Sequence, residues 1–171
     1  MDTTLTNRIV AFFGSSLVPV SSASLDHFAL PEDVKRFLKS YGLPLEPGLL
    51  IHFYADASEL EDCIDGQTHF LIIGDDYGTR LGIKEQTGEV LSLSYRTPRP
   101  IRFINSSLLA MLVFLQIYKE NQPALVQASD EEAAEIVDRM REDFQALDAR
   151  AVDSPDNWWS TILEQIRDGL L

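Results

Sequence analysis

The sequence is poor in cysteine, in basic residues and in long hydrophobic runs, and each shortage excludes a class of protein. Cys63 is the single cysteine, so no intramolecular disulfide can form and a reducing compartment is expected. No stretch approaches the roughly 18 apolar residues of a membrane-spanning helix. Residues 1–14 lack the basic start and the long apolar region of a secretory signal peptide. We therefore expect a cytoplasmic protein that does not bind membranes.

Basic residues are outnumbered by acidic ones. The 171-residue chain has 27 Asp and Glu against 14 Lys and Arg, which gives a formal net charge of −13. Binding of phosphate groups needs a basic surface, so nucleic acid is not expected as a direct partner. A basic protein is a compatible partner because complementary fields accelerate encounter, although the same charge also serves solubility.

The residues that most often carry catalysis or bind metals are few and scattered. His27, His52 and His69 are not at metal-ligand spacing with one another or with Cys63. Signatures of hydrolases, zinc proteases, phosphate-binding loops and dinucleotide-binding folds are missing. Acidic neighbours disfavour the thiolate of Cys63, which argues against a nucleophile. We predict a protein without catalytic residues, metal ligands or a cofactor, in which His52 and His69 are structural or surface residues.

The first two stretches of the chain differ in periodicity. Residues 1–47 are mostly helical: Leu30 and Pro31 begin a helix, apolar residues then recur at helical spacing, and Gly42 ends it. Residues 49–105 have the short apolar runs and turn residues of a sheet. Strands are predicted at 49–54, 69–73, 80–84, 89–95 and 101–104, with a hairpin turn at 85–88.

The third stretch is again helical. Asn105 to Ser107 offer capping side chains before a helix over 108–118. Ser129 and Glu132 have the spacing of a capping box at the start of a second helix. Ser154 and Pro155 are expected to start the last helix, which Gly169 can end.

Strands in mid-sequence with helices on either side predict an α+β fold, in which helices pack around a largely antiparallel central sheet. The length suits one domain over residues 1–171. Residues 124–171 are then the C-terminal helical part of that same domain.

Residues 74–78, Gly-Asp-Asp-Tyr-Gly, form the most distinctive short motif. One interpretation is a turn after a buried strand, where Gly and Asp accept unusual dihedral angles and Asp accepts hydrogen bonds from nearby backbone N–H groups. The other is a carboxylate pair, Asp75 and Asp76, that binds a metal or serves acid–base chemistry in a hydrolase or binding module. The turn is favoured because no further carboxylate or histidine cluster completes a site.

Acidic residues are concentrated near the C-terminus. From Ala128 onward there are twelve acidic residues and four basic ones. Four of the acids follow a 4-3-4 spacing and should share one outward stripe of a helix. The stripe is either a solvated helix face or a docking surface for a basic partner. Its members are Glu131, Glu135, Asp138 and Glu142.

Trp158 and Trp159 are adjacent on the last predicted helix and point about 100° apart. Trp159 aligns with Leu163 and Ile166, so we expect it in the core. Trp158 is at the edge of that face, where it is either packed in the core or an anchor at an interface.

An ordered set of short motifs carries a resemblance to a known family. The motifs are Leu30-Pro31, Phe37-Leu38, Gly42-Leu43-Pro44, Phe70 to Gly74 followed by Asp75, Tyr77 and Gly78, Ile83, Thr87 to Val90, Phe103 to Leu108, and Trp158 or Trp159 with Glu164. In this order they resemble the SUKH superfamily of Smi1/Knr4-like proteins, and in particular its SUKH-4 group of immunity proteins. The resemblance spans roughly residues 25–170 but does not place the acidic helix in 124–151.

The resemblance implies the SUKH architecture and a function. Such proteins are thought to bind and neutralise a cognate toxin domain, often a nuclease or nucleic-acid deaminase, of a polymorphic toxin system in bacteria. The family motifs maintain the fold, so Asp75, Asn105 and Trp159 are expected to be structural. The residues that we regard as candidate partner contacts are Glu131, Glu135, Asp138, Glu142, Asp76, Tyr77 and Trp158.

Two points stay open at the level of sequence. The alternative function is a Smi1/Knr4-like adaptor that engages a housekeeping or signalling protein; a toxin gene beside this one would favour immunity, and a lone gene would favour the adaptor. A homo-oligomer is also possible, because an apolar side chain such as Trp158 would serve a homodimer equally well.

Overall fold

The computed structural model describes residues 2–49, 51–54, 60–97 and 99–171. Within this part of the chain the helices are α1 (Thr3–Phe13), α2 (Ser22–Leu25), α3 (Glu32–Ser40), α4 (Leu108–Leu125), α5 (Asp130–Asp148) and α6 (Trp158–Arg167). The strands are β1 (Leu17–Val18), β2 (Leu43–Pro44), β3 (His52–Phe53), β4 (Glu61–Asp65), β5 (Thr68–Asp75), β6 (Arg80–Lys84), β7 (Val90–Leu93) and β8 (Pro100–Asn105). None of the helices in the described ranges has the length and apolar character needed to cross a membrane.

Six of the strands form one antiparallel sheet. Its order is β3-β5-β6-β7-β8, and β4 pairs with β5 along the same edge as β3. The strands β1 and β2 form a separate two-stranded ladder. The predicted α+β class with a largely antiparallel central sheet is confirmed.

The two faces of the sheet are packed differently. Alternate residues of β5 point to opposite faces, so Leu71 and Ile73 join the core beneath the helices while Phe70 and Ile72 point away. On this second face Phe70 and Ile72 form a small buried cluster with Cys63 and Leu93. The helix-covered face therefore carries the main core, and the second face keeps a small core of its own.

Helix α4 lies at the centre of the helical layer. All its residues from Leu108 to Tyr118 are buried, and it contacts α1, α5 and β8. The rings of Phe114 and Phe144 stack with centroids 3.9 Å apart, and Trp159 approaches both of them edge-on. This aromatic cluster joins α4, α5 and α6.

Most of the predicted helix ends are confirmed. Helix α3 begins after Pro31, and Gly42 follows its end with a φ of 81° that favours glycine. The Ser107 hydroxyl accepts a hydrogen bond from the Ala110 N–H at 3.2 Å. Ser129 and Glu132 form the predicted capping box at the start of α5.

Several predicted boundaries are wrong. The expected strand over 49–54 is only His52–Phe53 in the structure, with Leu50 outside the described residues. The expected strand over 89–95 is limited to Val90–Leu93. Helix α4 continues to Leu125, past the expected end at Tyr118.

The start of the last helix also differs from the prediction. Helix α6 begins at Trp158, not at Ser154 and Pro155. Residues 154–157 instead form a turn, in which the Asn157 N–H donates to the Ser154 carbonyl at 3.1 Å. The Asn157 side chain donates to the Arg150 carbonyl at 2.7 Å, which ties this turn to the end of the preceding helical segment.

Candidate protein-binding surfaces

The acidic motif after β5 is built as a turn. Oδ1 of Asp76 accepts from the backbone N–H of Gly78 at 3.1 Å and of Thr79 at 2.6 Å. Oδ1 of Asp75 accepts from the Tyr77 N–H at 3.1 Å. Both carboxylates therefore hold the backbone of residues 76–79, as the turn interpretation predicts.

The remaining oxygens of the two carboxylates also have partners. The indole N–H of Trp158 donates to Oδ2 of Asp76 at 2.8 Å, and the Tyr54 hydroxyl donates to Oδ2 of Asp75 at 3.1 Å. No group of three or more His, Cys, Asp or Glu side chains suited to holding a metal ion occurs among the described residues. The geometry gives no support to the hydrolase or metal-binding interpretation of Asp75 and Asp76.

Trp158 belongs to the core rather than to an exposed surface. Its side chain is 5% exposed and meets the Trp159 ring edge-on, with centroids 4.8 Å apart. The hydrogen bond to Asp76 satisfies the indole N–H, the one polar group of the Trp158 side chain. The candidate partner contact at Trp158 is thus corrected: no large part of its ring is available to a partner.

A second polar contact connects α6 to the sheet. The Trp159 indole N–H donates to Oδ1 of Asn105 at 2.8 Å, and Nδ2 of Asn105 donates to Asp148 at 3.1 Å. Asp148 also accepts from the N–H and the hydroxyl of Ser106, at 2.7 and 2.8 Å. Asn105 and Trp159 have the structural role expected of them. The part played by Asp148 was not predicted, because its partners are more than 40 positions away in sequence.

Cys63 is buried, whereas His52 and His69 are exposed. Burial raises the pKa of the Cys63 thiol, and Asp62 adds to the effect, while the Arg80 guanidinium opposes it. The predicted disfavoured thiolate is confirmed in direction, although burial is the larger cause. The His52 and His69 side chains are 56% and 43% exposed. They lie on the surface of β3 and β5, within 4 Å of carboxylates.

The acidic stripe of α5 is exposed along its length. Glu131, Glu135, Asp138 and Glu142 all point to solvent, opposite the buried residues of the helix. Asp138 forms an ion pair with Arg167 at the end of α6. Within the described ranges, the other three carboxylates make no ion pair. The structure therefore leaves most of the negative charge of the stripe uncompensated.

Aromatic side chains occur at the edge of the sheet where β5 and β7 end and β3 begins. Tyr77 is 77% exposed and Tyr95 is 53% exposed. The Tyr54 hydroxyl donates to Asp75, which also accepts from the Tyr77 N–H, and the Tyr54 ring centroid is 5.7 Å from that of His52. We name these four residues together with Asp75 the tyrosine patch. Only Tyr77 was predicted as a contact, because its partners in the patch come from three separate segments of the chain.

Acidic groups shape the electrostatics of the tyrosine patch. Burial raises the pKa of Tyr54, and the hydrogen bond to Asp75 raises it further. Burial also raises the pKa of Tyr95, together with the negative charges of Asp75 and Asp76. Asp75 therefore opposes ionisation of both tyrosines, while the hydrogen bond with Tyr54 and the Arg80 charge lower the pKa of Tyr95.

Comparison with known proteins gives a family match. A family model described as SUKH-4 immunity protein matches residues 7–165 of the chain. No curated protein and no solved structure matches the chain. The matched range includes both polar contacts of α6, the acidic stripe and the tyrosine patch, and it confirms the resemblance drawn from the short motifs.

Proposed function

Because the chain belongs to the SUKH-4 immunity protein family, we propose that it binds and neutralises the toxin domain of a polymorphic toxin system in a bacterial cell. The family match over residues 7–165 is the observation that carries this proposal. The protein acts in the cytoplasm as a binding partner and carries out no reaction of its own. Its carboxylates near β5 serve the turn, which leaves them without the open positions of a catalytic pair.

The proposed target is a basic domain that acts on nucleic acid, either a nuclease or a deaminase. Such a domain needs a positively charged cleft to hold phosphate groups. A chain with a net charge of −13 is attracted to that cleft and repels the nucleic acid that competes for it. Neutralisation then follows from occlusion of the cleft by a stoichiometric complex.

The acidic stripe supplies the long-range part of this attraction. Three of its four carboxylates are exposed without an ion pair within the described ranges. Charges in this setting change the association rate more than the lifetime of a complex, and their effect falls as salt rises. The stripe is therefore proposed to accelerate encounter with the toxin.

A co-expression experiment tests the function. The C-terminal domain of a large protein encoded beside this gene is expressed in a bacterium, with and without the full chain. We expect the domain to stop growth alone, growth to return with the chain, and the two proteins to co-purify. A domain that kills in the presence of the chain, with no complex recovered, would contradict the proposal.

Charge reversal tests the stripe separately. Glu131, Glu135, Asp138 and Glu142 are changed together to Lys, and the association rate with the toxin domain is measured at low and high salt. We expect a loss of about tenfold or more at low salt that shrinks at high salt.

The control variant has the same net charge but leaves α5 intact. Four exposed acids elsewhere, Glu46, Asp62, Asp156 and Asp168, are changed to Lys. An equal loss in both variants would show that total charge matters and that the stripe has no special part. Circular dichroism verifies that both variants fold.

A further inference from the structure

The tyrosine patch has the composition of a binding surface. Tyr77 and Tyr95 expose 77% and 53% of their surface, and the His52 side chain exposes 56%. Tyrosine presents a large contact area with only two side-chain torsions to fix, so it binds at low entropic cost. Aromatic residues with this character account for many of the strongest contacts at protein interfaces.

The backbone at Tyr77 is held in a conformation that its side chain does not favour. Its φ is 61°, in the left-handed region where glycine has the lowest energy. The hydrogen bonds to Asp75 and Asp76 hold the turn in this shape, and Trp158 in turn holds Asp76. An exposed tyrosine at such a position contributes little to folding, because its ring is hardly buried.

The charges around the patch select the chemistry of the partner. Asp75, Asp76 and Glu61 are negative, Arg80 pairs with Glu61 at 3.5 Å, and Arg96 follows Tyr95 in the chain. The Arg80 guanidinium also lies 6.0 Å from the centroid of the Tyr95 ring. One cation, Arg80, thus already lies beside a tyrosine ring of the patch, an arrangement in which the ring quadrupole attracts positive charge.

We propose that the tyrosine patch contacts the partner directly, and that it binds an arginine-bearing basic segment of the toxin domain. An arginine side chain places its guanidinium over the Tyr77 or Tyr95 ring, within the field of the neighbouring carboxylates Asp75, Asp76 and Glu61. This proposal rests on the proposed function and names the surface and chemistry of that same interaction. In this proposal the patch sets the lifetime of the complex, and the acidic stripe sets the association rate.

The position of α6 keeps the two surfaces apart. Trp158 at its first residue contacts the turn of the patch, whereas Arg167 at its last residue pairs with Asp138 of the stripe. The two ends are separated by roughly 14 Å along the helix axis. Variants of one surface therefore leave the contacts of the other intact.

The test uses Tyr77→Gly and Tyr95→Ala in the full chain, with dissociation measured against the toxin domain of the co-expression experiment. We expect each variant to weaken binding by about tenfold or more, mainly through faster dissociation. Gln86→Gly is the matched control, since Gln86 is exposed with a φ of 67° on a different turn. It makes the same backbone change and should bind like the wild type.

The outcomes separate this proposal from the proposed function. If the wild-type chain protects cells and Tyr77→Gly and Tyr95→Ala bind as tightly as it does, the patch proposal is overturned while the function stands. If the wild-type chain neither protects nor binds, the function is overturned, and a hexa-arginine peptide then decides the patch. Saturable shifts of the Tyr77 and Tyr95 ring resonances on adding the peptide would support it, provided that the Tyr95 shift weakens in Tyr77→Gly and the Tyr77 shift weakens in Tyr95→Ala; unchanged resonances in the wild type would overturn it.

Discussion

The carboxylates of α5 occur in two contrasting settings on one helix. Asp148, at its C-terminal end, is 8% exposed and accepts three hydrogen bonds from Asn105 and Ser106. The four acids of the stripe are exposed on the opposite side from the core. All five side chains are carboxylates, but Asp148 joins the helix to the sheet whereas the stripe faces solvent. The comparison shows that the acid content of a helix does not by itself indicate a binding surface.

The largest loss of stability is expected from a substitution at Asp148. Asp148→Ala leaves one N–H, one amide and one hydroxyl without their acceptor, and all three belong to partly or fully buried residues. We expect a loss of about 3 kcal/mol in the free energy of unfolding, measured by urea denaturation.

Asp143→Ala on the exposed side of the same helix is the control and should cost less than about 0.5 kcal/mol. We also propose that residues 124–171 share one domain with the sheet, so the Asp148→Ala variant should still unfold in one transition. Equal effects of the two substitutions would remove the distinction between the settings. A separate early transition of the C-terminal helices would contradict the single domain.

A second prediction concerns Trp159 of α6, which belongs to the same hydrogen-bond network as Asn105 and Asp148. Trp159→Phe keeps an aromatic ring in the core but leaves Oδ1 of buried Asn105 without its donor. We expect a loss of roughly 2 kcal/mol by urea denaturation. Trp158→Phe should cost about 1 kcal/mol, because water can replace the indole at the more accessible Asp76. The reverse order of the two variants would show that the Asn105–Asp148 network is not the stronger connection.

A third prediction concerns the cap at the start of α5. Ser129→Ala removes the hydroxyl that accepts from the Glu132 N–H at 3.4 Å and should cost about 1 kcal/mol in thermal denaturation. Ser15→Ala is the control, since Ser15 is exposed and its hydroxyl makes no hydrogen bond within the described residues. If both variants match the wild type, the capping box does not contribute measurably to the stability of α5.

The smallest expected effect concerns Glu89, a carboxylate outside α5 whose side chain is partly buried. Burial alone would raise the pKa of Glu89, but its hydrogen bond with Arg150 and the charge of Lys84 lower it below its usual value of 4.5. A lowered folded pKa means that the contribution to stability is present above pH 4.5 and is lost as pH falls through the folded value.

Glu89→Gln should therefore cost less than about 1 kcal/mol near neutral pH, with the difference from the wild type shrinking in acid. Urea denaturation across this range measures it. A difference that stays constant with pH would show that the ion pairs of Glu89 do not stabilise the fold.

Local signals account for the parts of the fold that the sequence predicts. The β6 strand was placed at its observed bounds because its apolar residues are followed at once by a glycine-containing turn. The cap of α5 depends on two residues three positions apart, Ser129 and Glu132. The turn at Asp75 and Asp76 likewise involves neighbours within three positions.

Features that depend on distant partners were missed. Strand β4 has charged residues at three of its five positions, and its pairing with β5 gives it a place in the sheet that its own pattern does not indicate. The start of α6 shifts by three to four residues because Asn157 bonds to Arg150. The tyrosine patch is likewise assembled from three segments, so only Tyr77, beside the Gly-Asp-Asp motif, was identified in advance.

The adjacency of the two tryptophans has a spectroscopic consequence. Trp158 and Trp159 are the only tryptophans in the chain, and both are buried at the start of α6. Intrinsic tryptophan fluorescence therefore reports on one event, the docking of this helix against the sheet and the aromatic rings of α4 and α5. Any displacement of α6 would expose both indoles to water together and shift the emission to longer wavelength, without any added label.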